Sequence, residues 1–461
     1  PLRPFESPAP LSTDTRTIAP GDFYLPLTGA NFDGQKFVSQ AIDQGAVGAF
    51  LSAGYFEEHR DALTTLPNLI VVPDTLVAYM QLGRAHLLRH NPTVIGITGS
   101  SGKTTTKEMI DAALSGVIPT QKSEKNHNNE IGVTQTLLNL EPETKVLIVE
   151  MGMRGLNQIN VLSKAATPQI GVITNIGPAH IGLLGSLENI AKAKCELFEG
   201  MDPQRSIGIL NADDALLMET AQGVWQGRVE AYSLNEVSHI QSTPEGGIRF
   251  SYQDQAFTLS VPGQYNISNA LAAIKIGETL GVELSDMAEG LAHYQPIEGR
   301  WRREPLPGYE NSCLINDAYN ANPDSIKASL KGFLEADLPT AKRVLIIGGM
   351  KELGAFSEQY HRDLGNWLAT QSGIDLLITA GEEAQLIAEA ATDVDFPVLS
   401  TSGLDTADEH AVLESIERAF CEFPLDLNDT TLLLKGSRSC RLEIFVSLLL
   451  QYASKQTPLP S

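Results

Sequence analysis

The stretch Thr98-Gly99-Ser100-Ser101-Gly102-Lys103-Thr104-Thr105-Thr106 follows the apolar run Val94-Ile95-Gly96-Ile97 and leads into a helical pattern toward Leu114. A strand that turns through glycines into a helix opening on Lys-Thr is suited to cradling phosphate. Glycines let backbone N–H groups converge on phosphate oxygens, and the helix N-terminus adds partial positive charge. Lys103 can bridge the β- and γ-phosphates, and the Thr104 hydroxyl can ligate Mg²⁺. Gly99, Ser100, Ser101, Gly102 and Thr105 complete the cradle. A ligand-free glycine-rich turn is the plain alternative, and the coincidence of strand, loop, Lys-Thr and helix argues against it. The spacing is shorter than in the common phosphate loop. Two residues, Ser100 and Ser101, precede Gly102-Lys103 where four are usual, and Ile97 stands at the expected glycine.

The 461 residues carry 33 Lys and Arg against 56 Asp and Glu, a net charge of -23. So acidic a chain is not expected to bind nucleic acid or an anionic membrane, and its phosphate sites must be local. No apolar run approaches the roughly 20 residues of a membrane span. Cys195, Cys313, Cys421 and Cys440 are scattered without C-x-x-C spacing, so neither a disulfide framework nor a zinc site is indicated. The first residue is Pro1, and no signal-peptide pattern precedes the fold. A cytoplasmic location is expected.

Three units are expected. The first, residues 1–91, ends at Arg89-His90-Asn91-Pro92 and holds strands at Gly45 to Leu51 and Leu69 to Val72 beside a helix from Thr75 to Arg89. The second, 92–312, repeats strand, turn and helix. Its runs Val146 to Val149 and Ile170 to Thr174 are continuously apolar, as in buried parallel strands, so this unit is expected to be a doubly wound α/β domain. The more alternating stretch from Arg228 to Leu259 reads as antiparallel strands inserted before a helix from Asn266 to Leu280. The third, 313–461, restarts the pattern with strands at Leu314, Val344, Leu376 and Thr431 and is expected to be Rossmann-like α/β.

Two side chains stand out by position alone. Glu150 ends the strand Val146 to Val149, at the sheet edge where doubly wound folds keep their ligands, and suits Mg²⁺; a carboxylate there can also be merely solvated. Lys194 lies on one face with Leu187, Ile190, Ala191, Leu197 and Phe198, whereas Lys192 falls off that stripe. An inward ammonium is costly unless paired or discharged, and snorkelling or pairing with a carboxylate is the plain alternative.

The T-G-x-x-G-K-T loop and the three-unit order resemble the Mur ligase family, ATP-dependent enzymes that add amino acids to the peptidoglycan precursor. Over nearly the whole chain the resemblance is closest to the branch that attaches D-alanyl-D-alanine to UDP-MurNAc-tripeptide. It is carried by Asn128-Asn129-Glu130-Ile131-Gly132-Val133, Glu150-Met151-Gly152, Asn175-Ile176-Gly177-Pro178-Ala179-His180, Gly185-Ser186-Leu187-Glu188 with Ala193-Lys194, Asn266-Ile267-Ser268-Asn269, Asp317-Ala318-Tyr319-Asn320-Ala321-Asn322-Pro323 and Leu434-Lys435-Gly436-Ser437-Arg438. Gly182, where a Glu is frequent, and Met153-Arg154-Gly155 depart from the pattern.

The resemblance implies two-step amide formation, with ATP and two Mg²⁺ as cofactors. Lys103, His180 and Lys194 would be catalytic, and Thr104, Glu150, His180 and Lys194 would hold metal, Lys194 as a carbamate formed with CO₂. Asn266 and Asn269 would hold adenine, although Asn near a helix start is often a cap. Arg300, Asp317 and Asn322 would close on the nucleotide. Thr13, Asp14, Thr15, Arg16, Asn31, Phe32 and Asp33 would recognise the uridine diphosphate, and taken alone those segments are only turn chemistry. Asn128, Asn129, Lys435, Ser437 and Arg438 would face substrate. The partners would be the small molecules UDP-MurNAc-tripeptide and D-Ala-D-Ala, and a monomer is expected. The competing readings are a small-molecule phosphotransferase, a nucleotide-dependent scaffold without turnover, and the sister ligase that adds the third amino acid.

Overall fold

The computed structural model describes residues 10–29, 32–309, 311–338, 340–401, 408–414 and 428–456. Asn31 and Cys421 lie outside the described residues. The chain divides into two compact units, Pro1–Pro92 with Ser123–Thr144, and Thr93–Lys122 with Lys145–Ser461.

In the first unit, Leu11–Ser12, Phe23–Tyr24, Gly48–Ser52 and Leu69–Val72 form a parallel sheet in that order. Tyr24, Val38, Ala41, Ala49 and Leu51 are buried beneath it. The third strand starts three residues later than the apolar run suggests. The N–H groups of Gly45 and Ala46 are used to close the preceding helix, on the carbonyls of Ile42 and Ala41. The helix Thr75–His90 is capped by Asp74, whose carboxylate accepts from the Val77 N–H, and ends on Asn91 in the left-handed region. Against it packs the helix Glu130–Leu138, with Gly83 close to Thr134. The segment 123–144 thus belongs to this unit although the phosphate loop precedes it in the chain.

The second unit holds two six-stranded sheets. The first runs Arg228–Tyr232, Ile207–Asn211, Ile170–Ile173, Thr93–Thr98, Val146–Glu150 and Thr120–Lys122, with every pairing parallel. The three central strands are buried almost throughout, as both-face coverage by helices requires. Ile97 pairs with Glu150 and Thr98 with Ile173. The ends of these three strands therefore lie side by side, and the phosphate loop emerges between Glu150 and Thr174.

The stretch from Arg228 is corrected by the structure. Arg228–Tyr232 is not antiparallel; it follows the crossover helix Ala215–Val224 and pairs in parallel with Ile207–Asn211. A crossover of that length returns a strand in the same direction, which a tight turn cannot do. Only Val237–Ser242, Ile248–Tyr252 and Gln255–Leu259 form the antiparallel sheet.

The second large sheet runs Arg302–Pro305, Cys313–Asn316, Thr430–Lys435, Lys342–Gly348, Leu376–Ala380 and Val398–Thr401. All its pairings are parallel except that of the edge strand Arg302–Pro305. That strand already belongs to this sheet, ahead of residue 313. Val344, Ile346, Leu376, Ile378, Leu432 and Leu434 are buried in its core. Asn322 opens the helix Pro323–Glu335, with Pro323 in the first turn and a reciprocal cap with Ser325.

Candidate active site

The helix Lys103–Leu114 starts at Gly102, which has φ 80. A Cβ there would also lie 2.5 Å from Asn269 Oδ1, so the position excludes side chains on two counts. The loop is tied to the neighbouring strand end. Ser100 N donates to the Asn175 carbonyl at 3.0 Å, Ser101 N to Asn175 Oδ1 at 2.9 Å, and Gly177 N to Ser100 Oγ at 2.8 Å. Lys103 Nζ folds back on the Gly99 carbonyl at 2.7 Å. Burial pushes the Lys103 ammonium below its ordinary pKa, the charge of Glu150 opposes this, and Arg300 adds to it. A polyanion in the loop would reverse that penalty.

Thr104 Oγ donates to Glu150 Oε2 at 2.9 Å, with both residues buried. Lys107, on the same helix, is fully buried, with Nζ 3.4 Å from Glu108 and 3.8 Å from Glu150. Lys107 falls outside every motif and helical stripe read from the sequence. The inward helical spacing that marks Lys194 marks it too, since it lies i+3 from Thr104 and i−3 from Ile110 on the buried side.

Lys194 sits on the helix Leu187–Cys195, capped by Ser186. Ile190, Ala191 and Lys194 are buried, and Lys192 is exposed. Among the described residues Lys194 forms no ion pair. Burial, then repulsion from Lys103, drives its pKa well below the ordinary value. His180 has φ 65, in the left-handed region. Its Nδ1 meets the Glu352 carboxylate. Burial lowers its pKa, Glu352 opposes this, and Lys103 and Lys194 add to the lowering. Gly182 has no room for the Glu the resemblance suggests, because a Cβ there would lie 2.5 Å from Gly354 N.

The second sheet contributes from its strand ends. Asn322 Nδ2 donates to Ser101 Oγ at 3.0 Å. Lys435 Nζ pairs with Asp317 Oδ2 at 2.7 Å, and Ser329 Oγ donates to the same oxygen at 2.7 Å. Arg300 packs over the Tyr319 ring at 4.5 Å, and its buried Nε has no hydrogen-bond partner among the described residues. These groups and the loop line one cavity of about 410 Å³, together with Asn266, Asn269 and Asp324. Asn266 is not a cap; it donates to the Pro262 carbonyl at 2.7 Å, and Asn269 Nδ2 lies 3.4 Å from Asn266 Oδ1. Burial raises the pKa of Asp324, another residue the sequence analysis did not single out.

Other expected residues lie apart from the cavity lining or carry different duties. Ser437 is buried, and its Oγ accepts from Lys351 N at 2.9 Å. Arg438 is exposed, with Nη1 3.3 Å from the Tyr319 hydroxyl. Lys435, expected toward substrate, lines the cavity and pairs there with Asp317. In the first unit, Asn129 caps the helix Glu130–Leu138 by accepting from Gly132 N at 2.9 Å. Asn128 precedes it. Asp14 chelates Arg16, and that contact lowers the Asp14 pKa to about 2. Thr13 and Thr15 flank Asp14, and Asp33 caps the turn Gly34–Phe37. Phe32 is 59% exposed and stacked on Phe37 at 5.8 Å, a ready platform for a planar ring.

The residues fit the groups the resemblance implies. An unpartnered buried Arg300 Nε, the N-terminus of the helix that opens at Gly102 and the buried Lys103 suit a bound polyanion. Thr104 and Glu150 bring two oxygen donors together, as Mg²⁺ requires, although among the described residues no cluster of three or more His, Cys, Asp or Glu side chains forms a metal cage.

A parallel sheet with a phosphate loop at its carboxyl edge, joined by residues of a second α/β sheet around one cavity, defines a phosphate-loop enzyme. The Mur ligase middle domain matches residues 97–277, and the Mur ligase glutamate ligase domain matches residues 301–438. The UDP-N-acetylmuramoyl-tripeptide-D-alanyl-D-alanine ligase of Synechocystis sp. is 42% identical over 77% of this chain and 75% of its own length. The enzyme of that name from Escherichia coli is 34% identical over 95% of this chain and 93% of its own. The chain belongs to the Mur ligase family. Among solved structures, MurF from Acinetobacter baumannii superimposes with a TM-score of 0.82 at 30% identity, covering 96% of this chain and 93% of that one. MurF ligase from Thermotoga maritima in complex with ADP also gives 0.82, covering 97% and 98%, and at 23% identity it speaks for the fold. No helix among the described residues is long and apolar enough to cross a membrane.

Proposed function

We propose that this chain is the ATP-dependent ligase that joins D-alanyl-D-alanine to UDP-MurNAc-tripeptide in cytoplasmic synthesis of the peptidoglycan precursor. The observation that carries this reading is the convergence, in one cavity, of the phosphate loop with Arg300, Asp317, Asn322 and Lys435 from the second sheet. The names of relatives at 42% and 34% identity support the substrates.

ATP lies in the cavity, with its phosphates on Gly99 to Thr105 and its adenine toward Asn266 and Asn269. Thr104, Glu150 and His180 are the candidate holders of Mg²⁺, which when bound offsets the charge of the triphosphate. The tripeptide carboxylate attacks the γ-phosphoryl group, ADP leaves, and an acyl phosphate results. The amine of D-Ala-D-Ala then attacks the acyl carbon and phosphate leaves. Lys103 offsets charge on the transferring group, and no Ser or Cys nucleophile is needed. Among the described residues Lys194 forms no ion pair, and its lowered pKa favours the neutral amine, the form that adds CO₂. As a carbamate it would turn from a cation beside Lys103 into an anion able to ligate Mg²⁺. In the first unit, Thr13 to Arg16 and the exposed Phe32 with Asp33 serve the uridine diphosphate. The enzyme acts as a monomer, organised as three functional domains, 1–91, 92–312 and 313–461, with the segment 123–144 packed in the first unit and the strand Arg302–Pro305 at the edge of the third domain's sheet.

A substrate panel tests this. UDP-MurNAc di- and tripeptides are offered with D-Ala-D-Ala or a diamino acid, and products are weighed by mass spectrometry. Tripeptide plus D-Ala-D-Ala should give the pentapeptide. A diamino acid added to the dipeptide would instead identify the sister ligase, and ADP release without an amine would identify a phosphotransferase.

A further inference from the structure

The loop Gly349 to Gly354 leaves the carboxyl end of the strand Lys342–Gly348 and makes two sets of contacts. On one side it meets the Lys-Gly-Ser-Arg segment: Ser437 N donates to the Gly349 carbonyl at 3.1 Å, and Lys351 N to Ser437 Oγ at 2.9 Å. On the other it meets the His180 loop of the phosphate-loop sheet. Gly182 N donates to the Glu352 carbonyl at 3.0 Å, Gly354 packs on Gly182, and the Glu352 carboxylate takes both Nδ1 of His180 and, at 3.3 Å, Arg154. His180 and Glu352 both hold left-handed backbone, with φ 65 and 64. Non-glycine residues adopt that conformation at a cost, and here both members of one contact do so.

We propose that Glu352 is a positioning residue for the ligase reaction: docked through Gly182, it accepts a hydrogen bond from Nδ1 of His180 and leaves Nε2 with the free lone pair. His180 then becomes competent toward Mg²⁺ only when the loop that carries Ser437's partner atoms is seated. A carboxylate on the far nitrogen fixes both the tautomer and the plane of an imidazole, and such partners are worth about 10- to 100-fold in activity or affinity. The proposal rests on the proposed role of His180.

Two independent lesions test it in the full-length enzyme. Glu352→Ala removes the acceptor. Gly182→Ala leaves every charge in place but sets a Cβ 2.5 Å from Gly354 N and 2.7 Å from the Leu353 carbonyl carbon, backbone atoms that must move away. Each should lower kcat about 10- to 100-fold with KM for ATP within about twofold, and Glu352→Gln, whose amide oxygen still accepts, should recover part of the loss. In ¹⁵N-histidine-labelled protein without nucleotide, His180 should carry its proton on Nδ1 in the parent and lose that preference in Glu352→Ala. Parental kcat in both lesions, or an unchanged His180 spectrum in Glu352→Ala, would overturn the proposal. His180→Asn separates the two readings. If it abolishes turnover while both lesions are silent, the role of His180 stands and the positioning role falls; if it is itself silent, both fall.

Discussion

Thr104 and Glu150 meet at 2.9 Å across adjacent elements, the first turn of the phosphate-loop helix and the end of the neighbouring strand. The register that pairs Ile97 with Glu150 produces this meeting, because the strand that feeds the loop and the strand that ends in the carboxylate stop at the same level. An oxygen pair is thereby held beside the place where phosphate is expected. Glu150→Ala should raise the Mg²⁺ concentration needed for half-maximal activity at least about tenfold, as loss of one charged ligand implies. Glu188→Ala, on an exposed helix position, should leave it unchanged. A Mg²⁺ titration of both variants checks this, and equal effects would mean that the wrong carboxylate has been assigned.

Lys103→Ala should reduce ADP formation by about 10²- to 10³-fold, the scale of losing one preorganised charge at a transferring group. The fold should persist, since among the described residues the Lys103 ammonium donates only to the nearby Gly99 carbonyl. Circular dichroism melting beside the ADP assay separates these outcomes.

Lys194→Ala should lose most activity, and acetate or formate should restore part of it by supplying an anion in the vacated position. Lys192→Ala should be silent, its side chain being exposed. Full activity in Lys194→Arg, with no response of the alanine variant to carboxylates, would show that the residue works as a cation.

The same lysine predicts a pH-dependent stability. Its folded-state pKa is well below the 10.5 of the free side chain, so the unfolded chain binds more protons in the window between them. Stability must therefore rise with pH there: the penalty of burying the ammonium is complete below the folded value and fades toward 10.5. In CO₂-free buffer Lys194→Met should be more stable than the parent near neutral pH, with the advantage shrinking as pH rises. Urea midpoints at several pH values measure it, and a constant difference would refute the lowered pKa.

Asp317→Asn should destabilise the second sheet by about 3–5 kcal/mol, because it leaves Lys435 buried without its charge partner. Replacing both, as Asp317→Asn with Lys435→Met, should recover much of that loss.

Much of this architecture was legible because apolar runs and glycine punctuation are local signals. Leu69 to Val72 is a strand over the residues read, the runs Val146 to Val149 and Ile170 to Thr174 differ by one residue from the strands Val146–Glu150 and Ile170–Ile173, and Lys194 points inward as its helical spacing implied. What escaped depends on contacts between distant segments. Arg228–Tyr232 alternates like an edge strand, and its direction is set by a crossover helix rather than by its own residues. Glu352 carries no motif; its meeting with His180 follows from two loops on different sheets approaching at Gly182. Lys435 lies in a motif but is claimed by Asp317, a pairing fixed by the parallel register of Leu434 with Asn316.

An acyl phosphate is the proposed route to the amide in this cavity. Tripeptide substrate labelled with ¹⁸O in its reacting carboxylate, turned over with ATP and D-Ala-D-Ala, tests it most directly. One ¹⁸O is expected in the released inorganic phosphate for each amide formed, and none in ADP. Unlabelled phosphate accompanying full amide formation would contradict it.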